Sequence, residues 1–253
     1  MNIRNTIFAS ESPEMISAFN KAQETFKYFW RELSWEYRRI IPVFDLAYVK
    51  CAFIQVDNDS SDSPLVEYMW ISQIDFDGTT ISGQLMNQPN YIDNVQAGEI
   101  IEQPFEAIVD WMFLTQDQVY GGFTIQEYRK QLNDSERKEY DASWGINFGD
   151  PNNILFVYDQ EEHPENLIEH PMCEKMLDSF LNFIQTNPTV IHERDDRGNQ
   201  LLHREAIAGN FLIIQALLQH NLDKSALNNQ SMTASDLARK MGWENIRSGR
   251  AHV

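Results

Sequence analysis

Two carboxylates, Glu67 and Asp110, are the residues best suited to acid–base chemistry, each close in sequence to a tryptophan, Trp70 and Trp111. An indole that excludes water raises a neighbouring carboxyl's pKa, which is what a general acid needs near neutral pH. Catalysis also needs a partner group, and positions 51–128 contain no Lys, Arg or His. With no nucleophile and base paired near either carboxylate, the expectation is that the protein is not an enzyme. A second candidate is the segment carrying His163, His170 and Cys173, whose ligand types suit zinc. Its spacing matches no common structural site, and both histidines precede proline, which favours extended backbone in a connecting strap. Gly121-Gly122 lacks the further glycines and the lysine of a phosphate loop. No metal and no cofactor are expected. Trp70, Trp111, Trp144 and Trp243 are expected to anchor cores or interfaces.

The chain that positions these residues has 253 amino acids, 42% of them apolar, enough for one large domain or two modest ones. Twenty basic and 38 acidic side chains leave a formal charge of −18. That balance disfavours binding to nucleic acid or to anionic membranes. No segment approaches the roughly 18–20 apolar residues of a membrane span, and the N-terminus lacks the apolar stretch of a secretory signal. Only Cys51 and Cys173 are present, which suits a reducing, cytoplasmic setting. The charge is uneven. Residues 171–253 hold nine basic and nine acidic side chains, whereas residues 1–170 hold 11 and 29. Positions 51–128 carry 13 acidic residues, a face suited to attracting a basic partner.

The periodicity predicts a helix over 13–33, with Ser12 as N-cap, Pro13 at the first position, and Ile16, Phe19, Phe26, Trp30 and Leu33 recurring at helical spacing. From Asp45 the period becomes two, and 47–56, 65–76 and 79–86 read as strands. Asp77-Gly78 suits the tight hairpin between the second and third. The acidic, serine-rich loop 57–64 is expected to move. An apolar run covers 105–114, helix is predicted over 127–140, and 141–170 reads as an ordered strap containing Trp144, Phe148 and Phe156.

Several motifs in the first part occur in a recognisable order: Val49-Lys50-Cys51-Ala52-Phe53, Glu67-Tyr68-Met69-Trp70, and Gly83-Gln84-Leu85-Met86-Asn87-Gln88-Pro89. Asp110-Trp111-Met112 and Gly121-Gly122-Phe123-Thr124 continue the series. Together they resemble the YegJ-like bacterial domain of unknown function. The resemblance implies a helix on a curved antiparallel sheet and carries no activity. The family motif has His where this chain has Tyr68, which weakens any mechanism requiring an imidazole there.

Residues 195–206, Asp-Asp-Arg-Gly-Asn-Gln-Leu-Leu-His-Arg-Glu-Ala, look like the opening of an ankyrin repeat, with Gly209-Asn210, Leu217-Leu218 and Asp223 at matching offsets. A terminal copy runs through Asn228, Thr233-Ala234, Asp236-Leu237-Ala238 and Gly242. Gln200 and Leu201 replace the usual Thr-Pro, and Asn221 the usual Gly. The resemblance implies that His203 bonds the backbone of a neighbouring loop. A unit of this kind cannot bury its apolar face alone, so its open end is expected to be capped by the N-terminal domain or the strap, through residues 141–180.

The expected architecture is therefore α+β, an N-terminal helix packed on a curved antiparallel sheet, followed by an all-α ankyrin-like region. The expected domains are 1–140, a strap over 141–171, and 172–253. The expected function is protein–protein binding, as a bacterial cytosolic immunity or antitoxin-like protein that occludes a basic toxin. The alternatives are a general intracellular adaptor and an enzyme using Glu67 and Asp110. Expected partner contacts are Asp196, Arg197, Asn199, Gln200, Arg204, Glu205, Asn229 and Gln230, with Glu67 and Asp110 on the acidic half.

Overall fold

The computed structural model describes residues 3–8, 11–56, 64–220 and 222–243, so most of the loop 57–64 and Asn221 lie outside the described residues. The three period-two segments become strands β1 (Leu46–Gln55), β2 (Leu65–Phe76) and β3 (Thr80–Leu85), joined by β4 (Ile100–Pro104), β5 (Ile108–Thr115) and β6 (Gln118–Gly121), of which β4 and β6 are not among the segments read from the sequence. They form one antiparallel sheet in the order β4-β3-β2-β1-β5-β6. Helices α1 (Ile3–Phe8) and α2 (Pro13–Glu36) precede the sheet, and α3 (Phe123–Lys130) and α4 (Asp134–Trp144) follow it. Among the described residues four more follow: α5 (Pro171–Thr186), α6 (Leu201–Ala208), α7 (Phe211–Leu218) and α8 (Ala234–Met241). Among the described residues no helix is long and apolar enough to cross a membrane. Two compact units result, residues 1–29 with 41–156, and residues 30–40 with 157–253.

In the first unit α2 packs on the sheet through aromatic side chains. Phe26 meets Phe76 edge-on at 5.1 Å, and Phe29 meets Trp111 at 5.6 Å. The indole N–H of Trp111, which is fully buried, donates to the Ala22 carbonyl at 2.9 Å. Ile7, Phe19, Ala52 and Val109 form a second cluster near α1. Tyr68 closes it, packing at a tilt against Phe19 with ring centres 5.2 Å apart and donating its hydroxyl to the Ile7 carbonyl at 2.8 Å. The Asp77-Gly78 turn forms as the dipeptide suggests. The Asp77 carboxylate accepts from the Thr79 and Thr80 amides at 2.8 Å each, and Gly78 takes a φ of 96°.

Three differences from the sequence reading have local causes. The helix predicted over 127–140 is two helices, because Asn133 starts a new one with a reciprocal capping box to Glu136. The run 105–114 is strand only from Ile108, its first three residues forming a 3₁₀ turn. Strand β2 bulges between Ser72 and Asp75, where Gln73 has a φ of 54°. Gly83 lies opposite, where a side chain would run into the Ser72 carbonyl.

The second unit is helical. It includes residues 30–40, so the last turns of α2 supply an additional helical segment to it. Trp35 donates to the Asn210 side chain at 2.9 Å, and Arg31 donates to the Asn166 and Ile168 carbonyls. Inside this unit these residues cover apolar and polar groups of 157–243 that a short helical array leaves open.

Candidate functional site

The register of the sheet builds the polar cluster of the first unit. Lys50 on β1 is the partner of Trp70 on β2 and of Asp110 on β5, which places three side chains side by side across three strands. The Lys50 ammonium lies 4.9 Å from the Trp70 ring centre and donates to the Thr124 hydroxyl at 3.0 Å. That hydroxyl donates onward to Asp110 Oδ2 at 2.5 Å. Burial pulls the Lys50 ammonium below its ordinary pKa, and the Asp110 charge opposes the pull. Lys50 stands one residue before the segment without bases. It interrupts an otherwise apolar strand, residues 46–54, and that placement was the signal in the sequence.

Asp110 is completely buried and accepts four hydrogen bonds. Oδ1 takes the amides of Trp111 and Phe123 at 2.8 and 2.9 Å; Oδ2 takes the amide and hydroxyl of Thr124 at 2.8 and 2.5 Å. Phe123 and Thr124 open α3, whose own cap position is Gly122, which has no side chain to satisfy them. Asp110 is therefore the N-cap of α3, delivered from a neighbouring strand. Of the two glycines before it, the first is required by the approach. Gly121, at φ 74°, lies so close to Trp111 that a Cβ would overlap both its carbonyl and its ring.

Glu67 does comparable work for a loop. Its carboxylate accepts from the amides of Asn90 and Tyr91 at 2.9 and 3.0 Å and from the Asn90 side chain at 3.1 Å. Three residues on, the Trp70 amide donates to Asn87 Oδ1 at 2.9 Å. Burial works to raise the Glu67 carboxyl, but the amides of Tyr91, Asn90 and Ile92 outweigh it and hold the group below the usual carboxylate range. A groove of about 410 Å³ in this unit is lined by Pro13, Ala18, Lys21, Phe123, Glu127 and Lys130, and neither Glu67 nor Asp110 lines it. Both carboxylates are thus engaged internally, Asp110 completely buried and Glu67 turned to the amides of Asn90 and Tyr91.

In the second unit the expected contact residues separate by burial. Asp196, Arg197, Arg204, Asn229 and Gln230 are exposed. Asn199, Gln200 and Glu205 are buried and occupied internally. Asn199 Oδ1 accepts from Asn228 at 2.9 Å, and Glu205 accepts from Arg38 and from the Asn210 side chain, both at 2.7 Å. At the start of α6 the Gln200 amide donates to His203 Nδ1 at 3.2 Å, and the Gln200 side chain donates to the His192 carbonyl at 3.4 Å. His203 Nε2 lies 3.0 Å from the Ala226 carbonyl, and burial lowers its pKa. The two tips of this unit are joined directly, since the Asn229 amide and side chain donate to the Arg197 and Asp196 carbonyls at 3.0 Å each.

The His163, His170 and Cys173 set is not brought together as one ligand shell. His170 Nδ1 caps α5 by accepting the Met172 amide at 3.1 Å, while its ring stacks on Trp35 at 5.5 Å. The Cys173 thiol donates to Asn210 Oδ1 at 3.4 Å, and burial pushes its pKa up. His163 meets Glu165 at 2.9 Å and forms a surface group with Asp159 and Glu162, ligand atoms within 4.8 Å of one another. Cys51 and Cys173 are both free and buried.

A helix-backed antiparallel sheet whose carboxylates cap its own loops defines a scaffold domain, and its sequence places it. The chain belongs to the DUF2314 family, "Uncharacterized protein conserved in bacteria", whose model matches residues 12–148. It is also similar to the "Putative ankyrin repeat protein NMB1133/NMB1171" of Neisseria meningitidis serogroup B (strain ATCC BAA-335 / MC58), 48% identical over 229 residues, 90% of this chain and 89% of that protein. Over 65 residues it is 31% identical to the "Uncharacterized protein YegJ" of Escherichia coli (strain K12), 26% of this chain and 42% of that one. No solved structure matches.

Proposed function

We propose that this protein acts by binding another protein, and that it is a bacterial cytosolic immunity, antitoxin-like protein occluding a basic toxin. One observation carries the reading: the two carboxylates best suited to chemistry are consumed as internal caps, while a further set of acids, Asp75, Asp93, Glu99, Glu102 and Asp117, faces solvent. No basic side chain lies between positions 51 and 128. A surface of that sign accelerates encounter with a basic protein and repels nucleic acid. Residues 172–253 are proposed to act as an ankyrin-like binding module, presenting Asp196, Arg197, Arg204, Asn229 and Gln230. The linked tips, the bridging His203 and the name of the Neisseria relative support that part.

The test is affinity capture from the native bacterium, followed by kinetics with the stoichiometric partner. An immunity protein retains one basic protein at nanomolar affinity or better, with association slowed strongly by salt. Several weak partners would replace this reading with a general adaptor. Turnover abolished by Glu67→Gln or Asp110→Asn in a chain that stays folded would replace it with an enzyme.

A further inference from the structure

The helical unit holds a cavity of about 540 Å³, within the roughly 300–1,000 Å³ of small-ligand pockets. Its wall includes Glu169, the least satisfied group of this unit. Glu169 Oε2 accepts the Leu212 amide at 3.0 Å, while Oε1 is buried and meets no hydrogen-bond donor among the described residues. The neighbouring Cys173 thiol has a single proton, and that goes to Asn210 Oδ1 at 3.4 Å. Behind the wall the pattern repeats. His170, which also lines the cavity, accepts the Met172 amide on Nδ1, so its Nε2 carries the proton and donates to Glu32 Oε2 at 3.3 Å. Glu32 is 4% exposed, and its Oε1 likewise has no hydrogen-bond partner among the described residues. Arg31, buried beside them, donates to the Asn166 and Ile168 carbonyls. Its charge pulls the Glu169 carboxyl down, but burial outweighs the pull and leaves the group above its ordinary pKa. Such a site lacks a donor and a positive charge, and a group bringing both would gain by entering it.

We infer that this cavity receives a basic side chain of the partner protein, an arginine whose guanidinium donates to Glu169 Oε1. The inference rests on the protein-binding reading above and names the point of anchorage. Charge selects a cation. No Lys or Arg occurs between positions 139 and 174, and two further acids of the wall, Asp159 and Glu165, share one His163 at 3.8 and 2.9 Å. Lys175 and Glu174 both line the cavity and cancel in the count. Apolar wall receives the stem of the side chain: Leu212 lies inside, and Ile168, 63% exposed, offers contact to the surface that carries the arginine. Arginine suits the site better than lysine because its planar fork reaches more than one carboxylate oxygen at once. Arginines seated in desolvated pockets are also common anchors of protein interfaces.

Two small probes test it, N-acetyl-arginine N-methylamide and its neutral isostere N-acetyl-citrulline N-methylamide. Each is titrated into the full chain while amide shifts are followed by NMR. The arginine probe should bind about tenfold tighter, with shifts concentrated at Glu169, His170 and Leu212. The preference should vanish in Glu169→Gln, which keeps an acceptor for the Leu212 amide, and survive in Asp93→Asn, which removes a charge from the other unit. A second measurement needs no variant: in wild type the arginine probe should lower the titration midpoint of the Glu169 carboxyl, read by carbon NMR, and the citrulline probe should not. A captured partner should be held about tenfold more weakly by Glu169→Gln. Equal binding of the two probes, a preference that persists in Glu169→Gln, or a Glu169 midpoint unmoved by the arginine probe overturns the inference. So does a captured partner held equally by wild type and Glu169→Gln, an outcome that leaves protein binding standing. If wild type captures no protein, the protein-binding reading falls; a cavity that still takes the arginine probe then serves a free guanidinium compound, and the inference as stated is overturned.

Discussion

Removing the Asp110 carboxylate should unfold the start of α3 and cost far more than a surface charge. Asp110→Ala strips acceptors from the Phe123 and Thr124 amides, from the Thr124 hydroxyl and from the Trp111 amide. Loss of a cap costs about 1 kcal/mol, and each buried donor left unpaired about 1–3 kcal/mol. Lys50 would also lose the carboxylate charge that opposes its desolvation. These contributions overlap because one carboxylate makes all of them, so the expected total is about 4 kcal/mol, against a typical whole-domain stability of about 5–15 kcal/mol. Asp110→Asn keeps one acceptor for Trp111 and Phe123 but turns an amide N–H₂ toward the Thr124 amide, and should cost about 2 kcal/mol. Urea unfolding followed by tryptophan fluorescence reads the change, and hydrogen exchange localises it to Phe123 and Thr124. Lys50→Met combined with Asp110→Asn should cost less than the sum of the singles by about 1–2 kcal/mol. A stable Asp110→Asn with wild-type protection at Phe123 and Thr124 would refute the capping argument. Loss of an activity in that same folded variant would give Asp110 a chemical role instead.

Glu67→Gln should lower hydrogen-exchange protection at Asn90 and Tyr91 and cost about 1–2 kcal/mol. Because its folded pKa lies below the unfolded one, its contribution is present above the ordinary carboxylate value of 4.5 and disappears as pH falls through the folded value; the glutamine variant should lack that acid sensitivity. Gly121→Ala combines positive φ with overlap against Trp111 and should destabilise by about 3 kcal/mol, whereas Gly122→Ala, which meets no neighbour, should carry only the cost of its φ, about 1 kcal/mol. His203 is held below its ordinary 6.5, so the helical unit should lose stability as pH drops from 6.5 toward the folded value and level off beneath it. A His203 ring that titrates by NMR at or above 6.5 would contradict its burial.

How much of this was legible depended on the range of the interactions. Helix α2 and the Asp77-Gly78 hairpin follow from neighbours in sequence and could be read directly. The Asn133–Glu136 capping box was equally local, and its signal lay in the sequence. Strands β4 and β6 were harder, being five and four residues long and carrying Glu102, Pro104 and Gln118 where a strand pattern expects apolar alternation. Asp110 and Glu67 were picked out for the right property, a carboxylate near an indole, but their partners lie 13–14 and 23–24 residues away. Only the folded register reveals that those partners are backbone amides. The same holds for Trp35 and Arg38, whose bonds to Asn210 and Glu205 span 175 and 167 residues.

That distribution bears on where specificity can reside. The motif residues act in pairs: Glu67 and Trp70 hold the segment containing Asn87 and Asn90, and Asp110 and Trp111 hold Gly121 to Thr124. Each pair ties a strand to the loop or helix that follows a later strand, so what the motifs specify is the closure of the scaffold. A residue whose hydrogen-bonding capacity is used internally contributes little to recognising a partner, because releasing it would cost the fold about as much as the new contact could return. On the protein-binding proposal, partner choice then falls to side chains outside the motifs, such as the exposed Asp196, Arg197 and Arg204 of the helical unit. Two chains sharing every motif residue and differing at these positions are expected to keep one fold and bind different proteins.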